Sequence, residues 1–233
     1  MDAANIAEIF KSVQGEGISI GQPATFVRFW GCNLRCQFAS DSCDTPYAVT
    51  AQFDKAKKFT AEQLARRIQA VAKGCNRVIF TGGEPLLSQP YILQVCKLLG
   101  KDYFFEVETN GTQELLPQIS KVINQFNISP KLKSSNQVAR VFEERRVICQ
   151  QALTTYPPAK SSFKFVISSS KDLKEVQNII ARYNNIKVLL MPEGTTRSAV
   201  IKHSKAIIAL CLKHNWRFGP REQIIVWGKK KGV

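Results

Sequence analysis

Residues 77–109 read RVIFTGGEPLLSQPYILQVCKLLGKDYFFEVET, and this one stretch holds a strand, a glycine turn, a helix and a second strand. RVIF (77–80) and YFFEVET (103–109) are short runs of β-formers, the second stopping at Asn110-Gly111. Between them a helix runs from about Ser88 to Leu99. The alternation continues in both directions. Upstream, PATFVRFWGC reads as a buried strand bounded by Gly21 and Gly31, and TAEQLARRIQAVAKG (60–74) as a helix with a Thr60/Gln63 capping box. Downstream come a short helix in ELLPQISKVI, a strand near Asn127–Ser129, the strand SFKFVIS (162–168), a helix over Asp172–Tyr183, the strand IKVLLMP (186–192) and a helix over Arg197–His214. The tail QIIVWG (223–228) is expected as a last strand, while Ser134–Thr155 has only mixed helical periodicity. Strands that alternate with helices build a parallel sheet through right-handed crossovers. About six strands are too few for a closed eight-fold barrel, so the expected α/β fold is a partial, TIM-like (β/α) barrel.

The bulk composition narrows the class. A chain of 233 residues with 44% hydrophobic and 22% charged residues suits one domain, residues 1–233, with a full core. No apolar run approaches the roughly 20 residues needed to span a bilayer, and the N-terminus lacks the basic start and apolar stretch of a secretory signal. Seven cysteines, scattered over helices and strands, do not form a disulfide pattern, so a cytoplasmic location is expected. The net charge of +15 comes in short, dispersed runs with no interleaved aromatic residues. A solvated basic face accounts for it better than a nucleic-acid site does.

Two strings at strand ends carry chemistry. GCNLRCQFASDSCDTPYA (31–48) packs Cys32, Cys36 and Cys43 into one loop with no histidine near. Structural zinc normally takes four protein ligands, whereas three thiolates on a cubane iron–sulfur cluster leave one iron open. Three cysteines could also simply be buried apolar residues, but the Asn, Asp and Ser between them form turns rather than a buried element. TGGEP (81–85) places two glycines and Glu84 where a strand gives way to a turn; alone it is equally a plain turn before a helix. The cysteine loop, TGGEP, ETNG, SPK and MPEG all follow strands, at the sheet edge where α/β proteins bind ligands.

Together EIFKSVQGEG (8–17), FVRFWGCNLRC (26–36), CDTPYA (43–48), FTGGEP (80–85), VETNGT (107–112), SPK (129–131) and LMPEG (190–194) resemble the 7-carboxy-7-deazaguanine synthases of the radical S-adenosylmethionine (SAM) superfamily. The likeness runs from about Glu8 to the C-terminus and implies a partial barrel of the radical SAM type. It implies that Cys32, Cys36 and Cys43 hold a 4Fe–4S cluster, and that Ser42, Asp44, Gly83, Glu84, Ser129, Pro130 and Lys131 bind SAM, with Glu108 and the LMPEG turn as weaker candidates. The implied substrate is the pterin 6-carboxy-5,6,7,8-tetrahydropterin, met by Val13, Gln14, Gly15, Glu16, Arg28 and Thr81, with Arg28 taking its carboxylate in a two-pronged ion pair and Thr45 holding Mg²⁺. No side chain is expected as the catalytic group: a 5′-deoxyadenosyl radical from the cofactor takes a substrate hydrogen, and ring contraction expels ammonia. The family implies a homodimer and an electron donor such as flavodoxin or ferredoxin.

The sequence departs from the family pattern in two places. C-x3-C-x6-C stands where the family has C-x3-C-x2-C, an extension a flexible loop tolerates. Gln223 stands where relatives often carry histidine, so no substrate contact is expected there. A glycyl-radical activase of the same superfamily leaves QGEG, Arg28 and CDT without a role. A basic metal-binding module for nucleic acid fits the charge but not the strand-end motifs. Cys75, Cys96, Cys149 and Cys211 are expected to pack, and His203 and His214 are assigned no role.

Overall fold

The computed structural model describes residues 3–37, 43, 45–49, 56–135, 149, 151–183 and 185–233. Its nine strands are β1 (Ala3–Val13), β2 (Pro23–Phe29), β3 (Lys57–Thr60), β4 (Arg77–Gly82), β5 (Phe104–Thr109), β6 (Gln125–Ile128), β7 (Ser161–Ile167), β8 (Lys187–Pro192) and β9 (Arg217–Phe218). They form one sheet in the order β3-β1-β2-β4-β5-β6-β7-β8-β9. From β2 to β9 every pairing is parallel. Since β3 and β9 are its two edges, the sheet is open, a partial barrel as expected. Helices whose two ends lie among the described residues are α1 (Ala61–Ala72), α2 (Gln89–Leu99), α3 (Pro117–Val122), α4 (Leu173–Ile180), α5 (Arg197–His214) and α6 (Glu222–Trp227). Among the described residues, no helix is long and apolar enough to cross a membrane.

Period-two alternation sorts the strand side chains. In β7, Phe163, Phe165 and Ile167 join the buried core under the helices, while Lys164 and Val166 point to the other face and line a cavity. In β5, Phe105 and Val107 pack in that core and Glu106 and Glu108 turn inward. Leu64 and Ile68 of α1 and Tyr91, Ile92 and Val95 of α2 close the outer layer. The Thr60 capping box forms as the spacing predicts. The barrel is therefore apolar outside its strands and polar within.

Two expectations need correction. β1 and β3 are antiparallel additions to the parallel sheet, so the chain is not parallel throughout. The tail is not a strand: residues 222–227 form α6, and the last strand is β9. Ile224, Ile225 and Val226 favour β structure, but β propensity yields to tertiary context. Here Arg221 takes a left-handed conformation (φ 60°) that turns the chain into a helix, with Ile224 buried.

Candidate active site

One cavity of about 570 Å³ opens at the carboxyl ends of the parallel strands. Its wall includes Val13, Gln14, Gly15, Glu16, Arg28, Cys32, Cys36, Cys43, Thr45, Thr81, Gly83, Ser129 and Lys131. Residues scattered over 119 positions of the chain thus meet in one place, from Val13 to Lys131. Glu84 and Pro130 are buried, each adjoining wall residues in the chain: Gly83 for the first, Ser129 and Lys131 for the second. Ser42 and Asp44 lie outside the described residues.

The three cysteines are partly exposed, and none is disulfide-bonded. The Cys43 N–H donates to the Cys36 carbonyl at 3.1 Å, which keeps these two cysteines side by side. Burial raises the Cys32 thiol above its ordinary pKa, against the Leu34 N–H that donates to its sulfur at 3.4 Å. The loop offers three cysteine sulfurs to one side of the cavity, one ligand short of a closed structural zinc site. Thiolates on a cubane bind separate irons and stand apart, so this donor set fits a cluster rather than one zinc ion.

Beside the loop, Gly83 has no room for a side chain: a Cβ would lie 2.0 Å from the Gly31 carbonyl oxygen. The Glu84 N–H donates to that same oxygen at 2.8 Å, pinning the glycine turn against the cysteine loop. The Glu84 carboxylate accepts from the Leu86 N–H at 3.0 Å, the Thr109 hydroxyl at 2.8 Å and the Asn110 N–H at 2.7 Å. Burial pushes its pKa up to about 7 despite those donors and the charge of Lys131. Lys131 donates to the Ser129 hydroxyl at 3.0 Å, so the SPK string presents a cation to the same cavity.

The floor is built by QGEG. Because β1 is antiparallel, residues 14–17 enter from the amino ends of the parallel strands, opposite to every other motif. Gln14 donates to Glu106 at 3.0 Å and to Glu108 at 3.3 Å. Lys164 bridges Glu16 (2.9 Å) and Glu108 (2.8 Å), and Arg221 donates to Glu16 at 3.1 Å. Burial alone would raise the Glu16 pKa, but the charges of Lys164 and Arg221 outweigh it and hold the carboxyl below the usual range. The Lys164 ammonium resists burial in turn, since Glu108 and Glu16 keep its pKa above the ordinary value. Thr81 donates to Glu108 at 2.7 Å. Glu106, deepest in the network, is raised by burial and bound by Arg77 at 3.0 Å and by Asn127.

Arg28 forms the side wall. Its Nε donates to Glu8 at 3.0 Å, and the Tyr47 hydroxyl donates to the same carboxylate oxygen at 2.9 Å. Phe10 and Tyr47 each lie 6.0 Å from the guanidinium carbon. Thr45, 3.7 Å from the Cys43 sulfur, offers the cavity a hydroxyl.

Lys164 and Arg221 went unremarked in the sequence. A lone lysine inside the aromatic strand SFKFVIS was the available signal, because a buried lysine requires a carboxylate partner. Gln223, where no substrate contact is expected, donates to Glu16 at 2.6 Å. Cys96 and Cys211 are buried in the core and Cys149 packs against it, as expected, whereas Cys75 lies outside that core with its thiol on the Pro23 carbonyl at 3.3 Å.

A family model described as the radical SAM superfamily matches residues 28–153, from Arg28 through both cofactor motifs, and places the chain in the radical SAM class. The 7-carboxy-7-deazaguanine synthase of Halobacterium salinarum is 30% identical over 97% of this chain and 91% of that protein. The enzyme of the same name from Pyrobaculum aerophilum is 31% identical over 97% of this chain and 96% of its own length. The crystal structure of QueE from Escherichia coli superposes with a TM-score of 0.69 at 24% identity, covering 93% of this chain and 92% of that one, a likeness of fold. The chain belongs to the 7-carboxy-7-deazaguanine synthase family of radical SAM lyases, and its cofactors are a 4Fe–4S cluster and SAM. Neither the activase nor the nucleic-acid reading is favoured by these relatives.

Proposed function

We propose that the chain converts 6-carboxy-5,6,7,8-tetrahydropterin to 7-carboxy-7-deazaguanine with loss of ammonia. The observation that carries this is a single cavity joining the cysteine loop to a floor of Glu16 and Glu108 and a wall of Arg28. A pterin presents N–H donors along one edge and, here, a carboxylate at the other end. Glu16, kept ionised by Lys164 and Arg221, accepts from the donor edge. Arg28 commits its Nε to Glu8, and its two terminal nitrogens make no hydrogen bond among the described residues, so they suit the substrate carboxylate as a fork. Gln14 and Thr81 fix Glu108 beside the ring.

When bound, the cluster and SAM supply the one-electron chemistry that removes a substrate hydrogen. Cys32, Cys36 and Cys43 hold the cluster. Gly83, Glu84, Ser129 and Lys131 receive the amino and carboxylate groups of SAM, the carboxylate of Glu84 matching an ammonium and the Lys131 ammonium a carboxylate. The Thr45 hydroxyl is a ligand suited to Mg²⁺, a hard cation. Nine strands in one sheet support the reading of residues 1–233 as a single domain. A cytoplasmic homodimer reduced by flavodoxin or ferredoxin completes the proposal.

Anaerobic reconstitution followed by mass analysis tests it. Ammonia loss from the carboxypterin, dependent on SAM, supports the assignment; a chain that carries tetrahedral zinc, or a cluster that leaves the pterin unchanged, rejects it.

A further inference from the structure

Asn110 follows β5 and is 6% exposed, yet the resemblance gives it no part in the site. Its Oδ1 accepts from the backbone N–H of Thr112 at 3.0 Å and from the Thr112 hydroxyl at 2.7 Å. A backbone N–H can only donate, so the carbonyl end of the amide must face Thr112, and the orientation of the side chain is fixed. The NH₂ end therefore faces the cysteine loop. It lies 2.9 Å from Asn33 Oδ1 and 3.8 Å from Cys32 Sγ, with one hydrogen for each. Asn33 returns a hydrogen bond to the Thr112 hydroxyl at 2.7 Å. Asn110, Asn33 and Thr112 thus close a ring that ties the residue after Cys32 to the end of β5.

We propose that Asn110 is a positioning residue of the cluster site, holding the Cys32 thiolate by an N–H···S hydrogen bond and raising the cluster's reduction potential. The ring leaves the amide hydrogen no other acceptor among the described residues, and the Leu34 N–H supplies a second donor to the same sulfur. Adding an electron to a cluster makes its thiolates more negative, and hydrogen bonds to a charged acceptor are the stronger ones. Donors to cluster sulfurs accordingly favour the reduced state, one of the means by which proteins set such potentials.

The test uses the full chain, reconstituted anaerobically, with Asn110→Leu and Asn110→Asp. The midpoint potential is read by a mediator-poised titration followed by electron paramagnetic resonance, with iron and sulfide per chain as a second readout. Asn110→Leu keeps the approximate shape and removes the donor together with the acceptor for Thr112; its cluster should become about tenfold harder to reduce, which is 59 mV for a one-electron couple. Asn110→Asp retains the acceptor for Thr112 but turns a carboxylate toward the sulfur, and should shift the potential further in the same direction. Asn33→Ala leaves the donor of Asn110 in place and should shift it less than either. An unchanged potential in both Asn110 variants, with cluster content intact, overturns the proposal and leaves only a structural role. Should neither variant load a cluster, wild-type protein labelled with side-chain ¹⁵N-asparagine decides. A ¹⁵N coupling to the reduced cluster supports the bond, and its absence overturns it.

Discussion

Replacing Lys164 with methionine keeps the length and apolar stem of the side chain and removes only the ammonium that Glu16 and Glu108 share at 2.9 and 2.8 Å. Breaking a buried ion pair costs about 3–5 kcal/mol, because the partner charge stays behind without compensation. Both carboxylates keep other donors: Arg221 and Gln223 on Glu16, Thr81 and Gln14 on Glu108. The loss should therefore fall near the lower bound, about 3 kcal/mol. With a urea slope of about 3 kcal/mol per molar, the unfolding midpoint drops by about 1 M. The pH dependence has a definite sign. Glu16 has a folded pKa held below its ordinary 4.5, so its contribution is present above 4.5 and is lost as pH falls toward the folded value. Lys164 has a folded pKa above its ordinary 10.5, so its share is complete below 10.5 and is lost as pH rises further. The gap between wild type and variant should be full at neutral pH and shrink on either side of that window. Urea titrations of the two proteins at neutral and acidic pH measure it. A gap under about 1 kcal/mol at neutral pH, or one indifferent to acid, would mean that solvent already screens the pair and that the floor is not preorganised. Pairing Lys164→Met with Glu16→Gln should cost less than the sum of the single changes, since the residues are in contact.

Other perturbations probe the remaining walls. Arg28→Ala should weaken carboxypterin binding about 10- to 100-fold, the worth of charge-assisted bonds, and leave the cluster spectrum as it was; an unchanged dissociation constant excludes the assigned role. Gly83→Ala puts a Cβ 2.0 Å from the Gly31 oxygen and 3.0 Å from the Cys32 Cβ, so iron content and Tm should both fall, the overpacking costing about 1–3 kcal/mol. Full iron loading in that variant would show that the glycine turn does not brace the cysteine loop. Burial pushes Glu84 up to about 7, so SAM should bind the cluster-loaded protein more tightly as pH rises through that value and the carboxylate ionises. A flat profile in calorimetry would remove Glu84 from the SAM site.

Most of the barrel was legible because each strand–helix unit carries its own local signal. The capping box at Thr60, the apolar run at 77–80 and the glycine turn after it are all read within a few residues. The cofactor edge was legible for the same reason, since thiolates and glycines at strand ends mark chemistry that few other roles explain. The floor was not. Lys164 and Glu108 meet across strands far apart in sequence, Arg221 joins them from the turn before α6, and no local pattern announces which buried charge meets which. Nor does periodicity show that β1 runs antiparallel, although that reversal is what carries QGEG into the barrel from its far side.

The misassigned tail shows how such an error propagates to the site. As a strand, residues 223–228 would extend the sheet edge beyond β9 and present alternate side chains to its two faces. As a helix entered through the left-handed Arg221, the same residues fold back over the barrel floor. The Glu222 N–H then donates to the Gly15 carbonyl at 3.0 Å, and Gln223 reaches Glu16. The contact is close enough to constrain its partner: a Cβ on Gly15 would lie 2.1 Å from Gln223 Oε1. Gly15 thus packs against a residue more than 200 positions away, its absent Cβ leaving room for the Gln223 backbone nitrogen at 2.9 Å as well as for that side chain. Gln223 remains an uncharged donor to Glu16 across the pH range in which a histidine would titrate, so the charge of this floor rests on Lys164, Arg221 and the two carboxylates.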